Sequence, residues 1–238
     1  MDDLVAEILH AHGGLPRWRE LTMVRAQVVT TGRLFEMKGV PGGPDPREMS
    51  VWLHEQRASV QPFGPGQRTR FTSNRIAIEK ITGELVAERE NPRTSFAGHD
   101  LETPWDPLDR AYFNGYAMWT YLTTPFFLAM PGFQAREIDP PAEEPEKLRG
   151  LEVTFPPGIA SHSTTQQLYF GDDFLLRRHD YAVEVAGPLR GAQYVSDYIE
   201  ADGILLPSKR RAYSRAADGA PLLDPVMVSI DISDVEFE

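Results

Sequence analysis

The chain has 238 residues, 41% of them hydrophobic and 10% aromatic, enough for one large domain with a substantial core. A formal net charge of -11 argues against nucleic acid or an anionic membrane surface as a partner, since both require clustered Lys and Arg. With no cysteine, disulfides, thiolate metal ligands and a cysteine nucleophile are excluded.

The N-terminus, MDDLVAEILHAHGG, has no basic region before an apolar run, and no stretch reaches the roughly 18 apolar residues of a membrane span. A cytoplasmic protein without stable membrane association is expected. Within this stretch, residues 3–12 read as a short amphipathic helix, with Leu4 and Ile8, and Val5 and Leu9, four apart. Gly13 and Gly14 stop it, and Trp18 and Leu21 begin a link to the first strand.

Met23 to Phe35 reads as a strand bent at Gly32, and GVPGGPDP (Gly39 to Pro46) as an irregular loop. Further strands are expected at Met49 to Gln61, Gln67 to Ser73, Arg75 to Ile81 and Glu84 to Glu90. Short Gly, Pro and Asn turns join them, too short for parallel crossovers, so the pairing is antiparallel.

The densest aromatic run follows, at Asp100 to Phe133. Asp106 can cap a helix that begins at Pro107 and ends before Pro125, with Asp109 in its first turn. Leu108, Tyr112, Trp119 and Leu122 fall on one face, and Phe113, Ala117 and Tyr121 on another. A helix apolar nearly all round is buried on both sides. It is therefore either a core plug or the wall of a cavity. In the second case Trp105, Tyr112, Tyr116, Trp119 and Phe126 would line the cavity, with Tyr181 joining from a strand. The helical insert spans about residues 104–131.

Asp139 to Pro145, DPPAEEP, reads as an acidic surface loop. Six more strands are expected, at Leu151 to Phe155, Gln166 to Phe170, Leu175 to Ala186, Ala192 to Ala201, Ile204 to Tyr213 and Val226 to Phe237. About eleven strands exceed what an open flat sheet usually carries. The fold class is mainly β (α+β). We expect a strongly curved antiparallel sheet or half-barrel, with the insert packed against its concave face, as a single domain over residues 1–238.

This order of elements resembles the half-barrel of the lipoprotein-localisation factors, the LolA/LolB-like group. TGRLF at Thr31 to Phe35 and SDYIEADGILLPSKRRAY at Ser196 to Tyr213 carry the resemblance, which covers about Thr22 to Phe237. It implies a hydrophobic cavity that holds acyl chains, although the lipoprotein cysteine is absent. TPWDPLDRAYFNGYAMWTYLTTPF, GIASHSTTQQLYF and LLRRHDY also resemble a set of uncharacterised bacterial cytosolic proteins.

The candidate chemistry lies in the histidines. His162 sits between two serines in a loop, and His99 and His179 each precede an aspartate. Alternation places Arg177, His179 and Tyr181 on one strand face. No metal-ligand spacing, P-loop, nucleophile elbow or dinucleotide fingerprint is present, so no metal or cofactor is expected. The first functional expectation is a binder of a hydrophobic or amphipathic small molecule. The second is an enzyme of cyclase, isomerase or hydrolase type, with His99, His162 and His179 as proton-transfer groups oriented by Asp100 or Arg177. The third is a non-enzymatic interaction protein.

Overall fold

The computed structural model describes residues 3–144 and 147–238. The chain opens with α1 (Asp3–Ala11) and α2 (Leu15–Glu20), then runs into β1 (Met23–Thr31) and a short α3 (Arg33–Met37). A meander follows: β2 (Gly43–Trp52), β3 (Arg57–Gln61), β4 (Gln67–Thr72), β5 (Arg75–Lys80) and β6 (Leu85–Glu90). The insert holds a 3-10 turn (Pro92–Phe96), α4 (Pro107–Thr123) and a second 3-10 turn (Phe126–Ala129). The chain then returns as β7 (Gln134–Ile138), β8 (Arg149–Thr154), β9 (Thr165–Phe170), β10 (Leu176–Ala182), β11 (Arg190–Ala201), β12 (Ile204–Arg215), β13 (Pro221–Leu222) and β14 (Val228–Phe237).

Fourteen strands among the described residues form one sheet, and every pairing is antiparallel. The order is β6-β5-β4-β3-β2-β1-β14-β12-β11-β10-β9-β8-β7, with β13 beside β12. The first strand pairs with the last, Val24 opposite Phe237, so the two meanders join at the middle of the sheet. The sheet stays open at β6 and β7, the strands on either side of the insert. α4 therefore belongs to the connection between the two free edges, and it packs across β2 to β6 on the concave face. This is the curved half-barrel with a helical insert expected from the sequence.

Three strands exceed the expected eleven. Met49 to Gln61 is not one strand, because it folds back through Leu53 to Gln56 into β2 and β3. β7 and β13 are short and carry little apolar alternation to announce them. The glycine- and proline-rich run is only partly a loop, since β2 starts at Gly43, opposite Thr30. Pro44 and Pro46 are tolerated because β3 pairs only from Glu48 onward, which leaves their outer side unpaired. β1 ends at Thr31 rather than bending on to Phe35. Gly32 has a φ of 126°, and a Cβ there would lie 2.4 Å from the Met227 carbonyl oxygen, so the chain turns into α3. The link containing Trp18 is α2, and its indole stacks on Phe126 at 4.2 Å.

α4 has the expected bounds. Asp106 and Asp109 form a reciprocal capping box, and Arg89 binds both carboxylates, at 2.5 and 2.7 Å. From Asp109 to Thr123 every residue is buried. Trp119 Nε1 donates to the carbonyls of Trp52 and Glu55 at 3.0 and 2.8 Å, tying the helix to the β2–β3 turn. Midway, Gly115 lies against Phe71, where a Cβ would meet Phe71 Cγ at 2.3 Å and its Cβ at 2.6 Å. Gly115→Ala would add about 1 kcal/mol of helix propensity on an exposed helix. Here the overlap with the Phe71 stem dominates, and a loss of about 1–3 kcal/mol is expected. Urea denaturation should show a lowered midpoint, and an unchanged or raised midpoint would refute the close approach.

Candidate functional site

The concave face carries a polar cluster sealed inside apolar packing. β10 directs His179 and Tyr181 inward, β11 Gln193, β12 Arg210 and α4 Tyr116 and Tyr121, all buried. His162, also buried, enters from the loop between β8 and β9. Its ring stacks on Tyr181 with centroids 4.2 Å apart. Its Nε2 lies 2.7 Å from the Tyr121 hydroxyl and its Nδ1 3.3 Å from the Tyr116 hydroxyl. Tyr121 and Tyr181 hydroxyls are 3.2 Å apart.

The donor inventory allows a single continuous direction for this chain of contacts. Arg210 donates to Gln193 Oε1 at 3.0 Å, and Gln193 Nε2 donates to the Tyr181 hydroxyl at 3.3 Å. Tyr181 then donates to Tyr121, Tyr121 to His162 Nε2, and His162 Nδ1–H to Tyr116, so a neutral imidazole satisfies every link. A second branch runs from His179 Nε2–H to Gln166 Oε1 at 2.7 Å, and from Gln166 Nε2 to the Ser163 carbonyl at 2.9 Å. It leaves His179 Nδ1 buried without a partner. Burial, with the Arg93 charge second, pushes the His162 imidazole down to about 3. Burial also drives His179 well below its ordinary value and holds the phenols of Tyr116, Tyr121 and Tyr181 above theirs. The cluster is therefore uncharged except at Arg210. That guanidinium donates to the Tyr121 carbonyl at 2.9 Å and lies over the Tyr121 ring, placing its charge in the last turn of α4 where the helix dipole favours a cation.

One end of the cluster opens into a small cavity of about 20 Å³, room for about one water molecule. Tyr121, His162 and Tyr181 form its polar base. Leu34, Phe113, Val183, Leu189 and Met227 are among its apolar lining. On the other flank of His162, Arg93 donates to the Ser161 and His162 carbonyls and pairs with Glu184 at 2.5 Å. Arg93, Tyr112, Ser161 and Glu184 line an open cleft of about 320 Å³.

The structure thus brings Tyr116, Tyr181, His162 and His179 together and leaves the other sequence candidates elsewhere. Arg177 does not share a face with His179 and Tyr181. The β9–β10 register shifts between Leu176 and Arg178, and Arg177 turns back to Asp173 at 2.7 Å. His99 meets Phe96 edge-on at 5.4 Å. Asp100 closes a turn through Thr103, whose hydrogen bonds lower its carboxyl, and its carbonyl accepts from Lys38. Trp105 packs between Phe96 and Phe113, and Trp119 and Phe126 serve helix anchoring. The acidic loop is not merely solvated. Glu144 and Glu143 bind the fully buried Arg178, which also clasps Asp180; Pro145, the last residue of that loop, lies outside the described residues. Among the described residues no three acids or histidines converge in a metal-holding group, and no helix is long and apolar enough to cross a membrane. Sequence reading missed Gln193 and Arg210. Gln193 stands between Gly191 and Val195 at inward positions of β11, a legible break in alternation, whereas Arg210, between Ser208 and Ala212 on β12, carries no such signal.

No protein-family model matches the chain, and no curated protein matches it. Among solved structures, it is similar to a domain assigned to outer membrane lipoprotein sorting from Vibrio parahaemolyticus. Identity is 9% and the TM-score 0.55, over 99% of this chain and 91% of that one. It is also similar to a LolA superfamily protein from Nitrosomonas europaea, at 12% identity and a TM-score of 0.51, over 98% and 92% of the two chains. The protein has a LolA-like fold.

The buried histidines make stability depend on pH. Folded His162 and His12 titrate at about 3 and about 4, against 6.5 when unfolded. The unfolded chain thus takes up protons that the folded chain refuses, so stability is full above about pH 6.5 and falls as the pH drops toward the folded values. At about pH 5 each group accounts for a loss of about 2 kcal/mol. His162→Gln should therefore lose about 2 kcal/mol less than the wild type between about pH 7.5 and about pH 5 in denaturant titrations. Equal losses would show that His162 is not held neutral.

Proposed function

We propose that the protein binds a hydrophobic or amphipathic small molecule on the concave face, in the cavity based on Tyr121, His162 and Tyr181. The observation that carries this reading is the composition of that cavity: apolar walls and a few convergent polar groups at one end, the usual make-up of a small-molecule site. As it stands the cavity holds no more than about one water, so binding requires the rim to move. The rim is built for that. It consists of the five-residue α3, flanked by Gly32 and Gly39 at positive φ, and of the loop between β10 and β11, with Gly187 at φ 79°. The rest of the lining, from α4 and the paired strands β10, β11, β12 and β14, stays in place. The similarity to a lipoprotein-sorting domain and to a LolA superfamily protein agrees with a lipophilic ligand.

A binding role is favoured over acid–base catalysis by the state of His162. Both ring nitrogens are occupied by tyrosine hydroxyls, and burial holds it near 3, which makes it a poor base at neutral pH.

The uncharged fluorophore N-phenyl-1-naphthylamine should bind the wild type with about one site per chain. Ala212→Leu fills the cavity from β12, and Leu189→Ala widens its mouth. The first should weaken binding at least about tenfold and the second should strengthen it. Absence of probe binding in the wild type, or affinities indifferent to both substitutions while circular dichroism shows intact folds, would refute the cavity as the site.

A further inference from the structure

Arg110 is the one charge on α4 that its surroundings do not explain. It is only 5% exposed, its guanidinium carbon sits 3.3 Å from the centre of the Phe35 ring, and its Nη1 is buried without an acceptor. It follows the capping box at the positive end of the helix dipole, where a cation is disfavoured. The nearby carboxylates, Asp106 and Asp109, are already held by Arg89. Among the described residues no acid pairs with Arg110. Burial, and second the repelling charge of Arg47, pull it well below its ordinary value. Arg47 lies on β2 at the same parity as buried Met49 and Val51, hence on the concave side, and burial lowers it as well. A desolvated Arg110 without a counter-charge, next to the half-buried Arg47 that opens onto a surface cleft beside Asp45, forms a costly arrangement that one anion would relieve. Arg210, the other buried arginine without a carboxylate, has a structural role at the C-terminal end of α4; Arg110 has no such role at the N-terminal end.

The position relative to the cavity gives the anion a context. Phe35, which carries the Arg110 guanidinium, meets Phe113 at 5.9 Å, and Phe113 and Leu34 are cavity walls. Arg110 and Phe113 stand three residues apart on the same side of α4. We propose that Arg110 and Arg47 form the head-group subsite for an anionic amphiphile, a carboxylate or phosphate monoester whose apolar chain enters the cavity beside Phe113 and Leu34. This rests on the binding role of that cavity and specifies the charge of its ligand. Phe35 then serves both parts, its face to the guanidinium and its edge to the chain.

Lauric acid, lauryl phosphate and lauryl alcohol share one chain and differ in head group, so displacement of N-phenyl-1-naphthylamine by each separates charge from lipophilicity. The wild type should bind one or both anionic forms about tenfold or more tightly than the alcohol, and the better of the two names the head group. Arg110→Met should abolish that preference with little change for the alcohol, and should leave the unliganded protein at least as stable as the wild type, because Met removes an unpaired buried charge. Arg47→Met, at a half-buried site, should reduce the preference and serves if Arg110→Met does not fold. Equal binding of alcohol and anions by the wild type would overturn the head-group assignment and leave the cavity reading standing. Binding of none of the three would overturn both. A preference that survives Arg110→Met and Arg47→Met but disappears in Arg210→Met would place the anion at the other end of the helix and overturn the proposal.

Discussion

The burial of α4 on all sides is the constraint on which the rest depends. The helix lies in the connection between the two free edges of a single open sheet, so it cannot leave the concave face without a long detour of chain. Its backbone bonds are satisfied internally, and its two buried threonines turn back to helix carbonyls, but most of its other polar side chains need a partner from the sheet or the loops. The capping carboxylates find Arg89, the indole of Trp119 finds the β2–β3 turn, and the tyrosine hydroxyls find His162 and Tyr181. The inward polar residues of β10 to β12 exist to meet these demands. Gly115 sets the distance at which they can do so, because it lets the helix approach Phe71 without a side chain between.

The electrostatics of the concave face follow from that burial. Water cannot solvate charge there, so the histidines remain neutral and the phenols remain protonated. A neutral hydrogen-bonded chain of this kind orients groups and selects the shape of what it touches, and it supplies little proton-transfer power at neutral pH. The surrounding walls are mostly apolar. In the proposed binding role, a ligand that enters would gain from apolar burial and meet polar groups only at its ends, and the motion it needs would fall to α3 and the β10–β11 loop, since the paired strands hold the remainder.

Much of this was legible in the sequence. The Asp106-Pro107 start and Pro125 stop delimited α4, because caps and prolines are local signals. The near-continuous apolar character of that helix announced burial on both sides, and short turns between β-rich segments required antiparallel pairing. His162, Tyr116 and Tyr181 were candidates and now share one cluster. The errors have local causes. Arg177 was assigned the wrong face because a bulge in β10 breaks the two-residue period. Gly43 to Pro46 was read as irregular because proline usually rules out a central strand, whereas here the outer side of β2 is free. Trp119 and Phe126 looked like a pocket lining by type alone, and only the tertiary contacts with the β2–β3 turn and Trp18 reveal packing. The pairing of the first strand with the last, which creates the concave face, leaves no mark in any single segment.

The central claim is that the Tyr121, His162 and Tyr181 cluster is the polar base of a ligand cavity that opens at α3. A crystal structure of the protein grown with a lipophilic ligand tests it most directly. The account predicts ligand density between Phe113 and Leu189 in contact with the Tyr121 hydroxyl, with α3 displaced outward. Density confined to the Arg93 and Glu184 cleft, or a bound ligand with the concave interior unchanged, would contradict it.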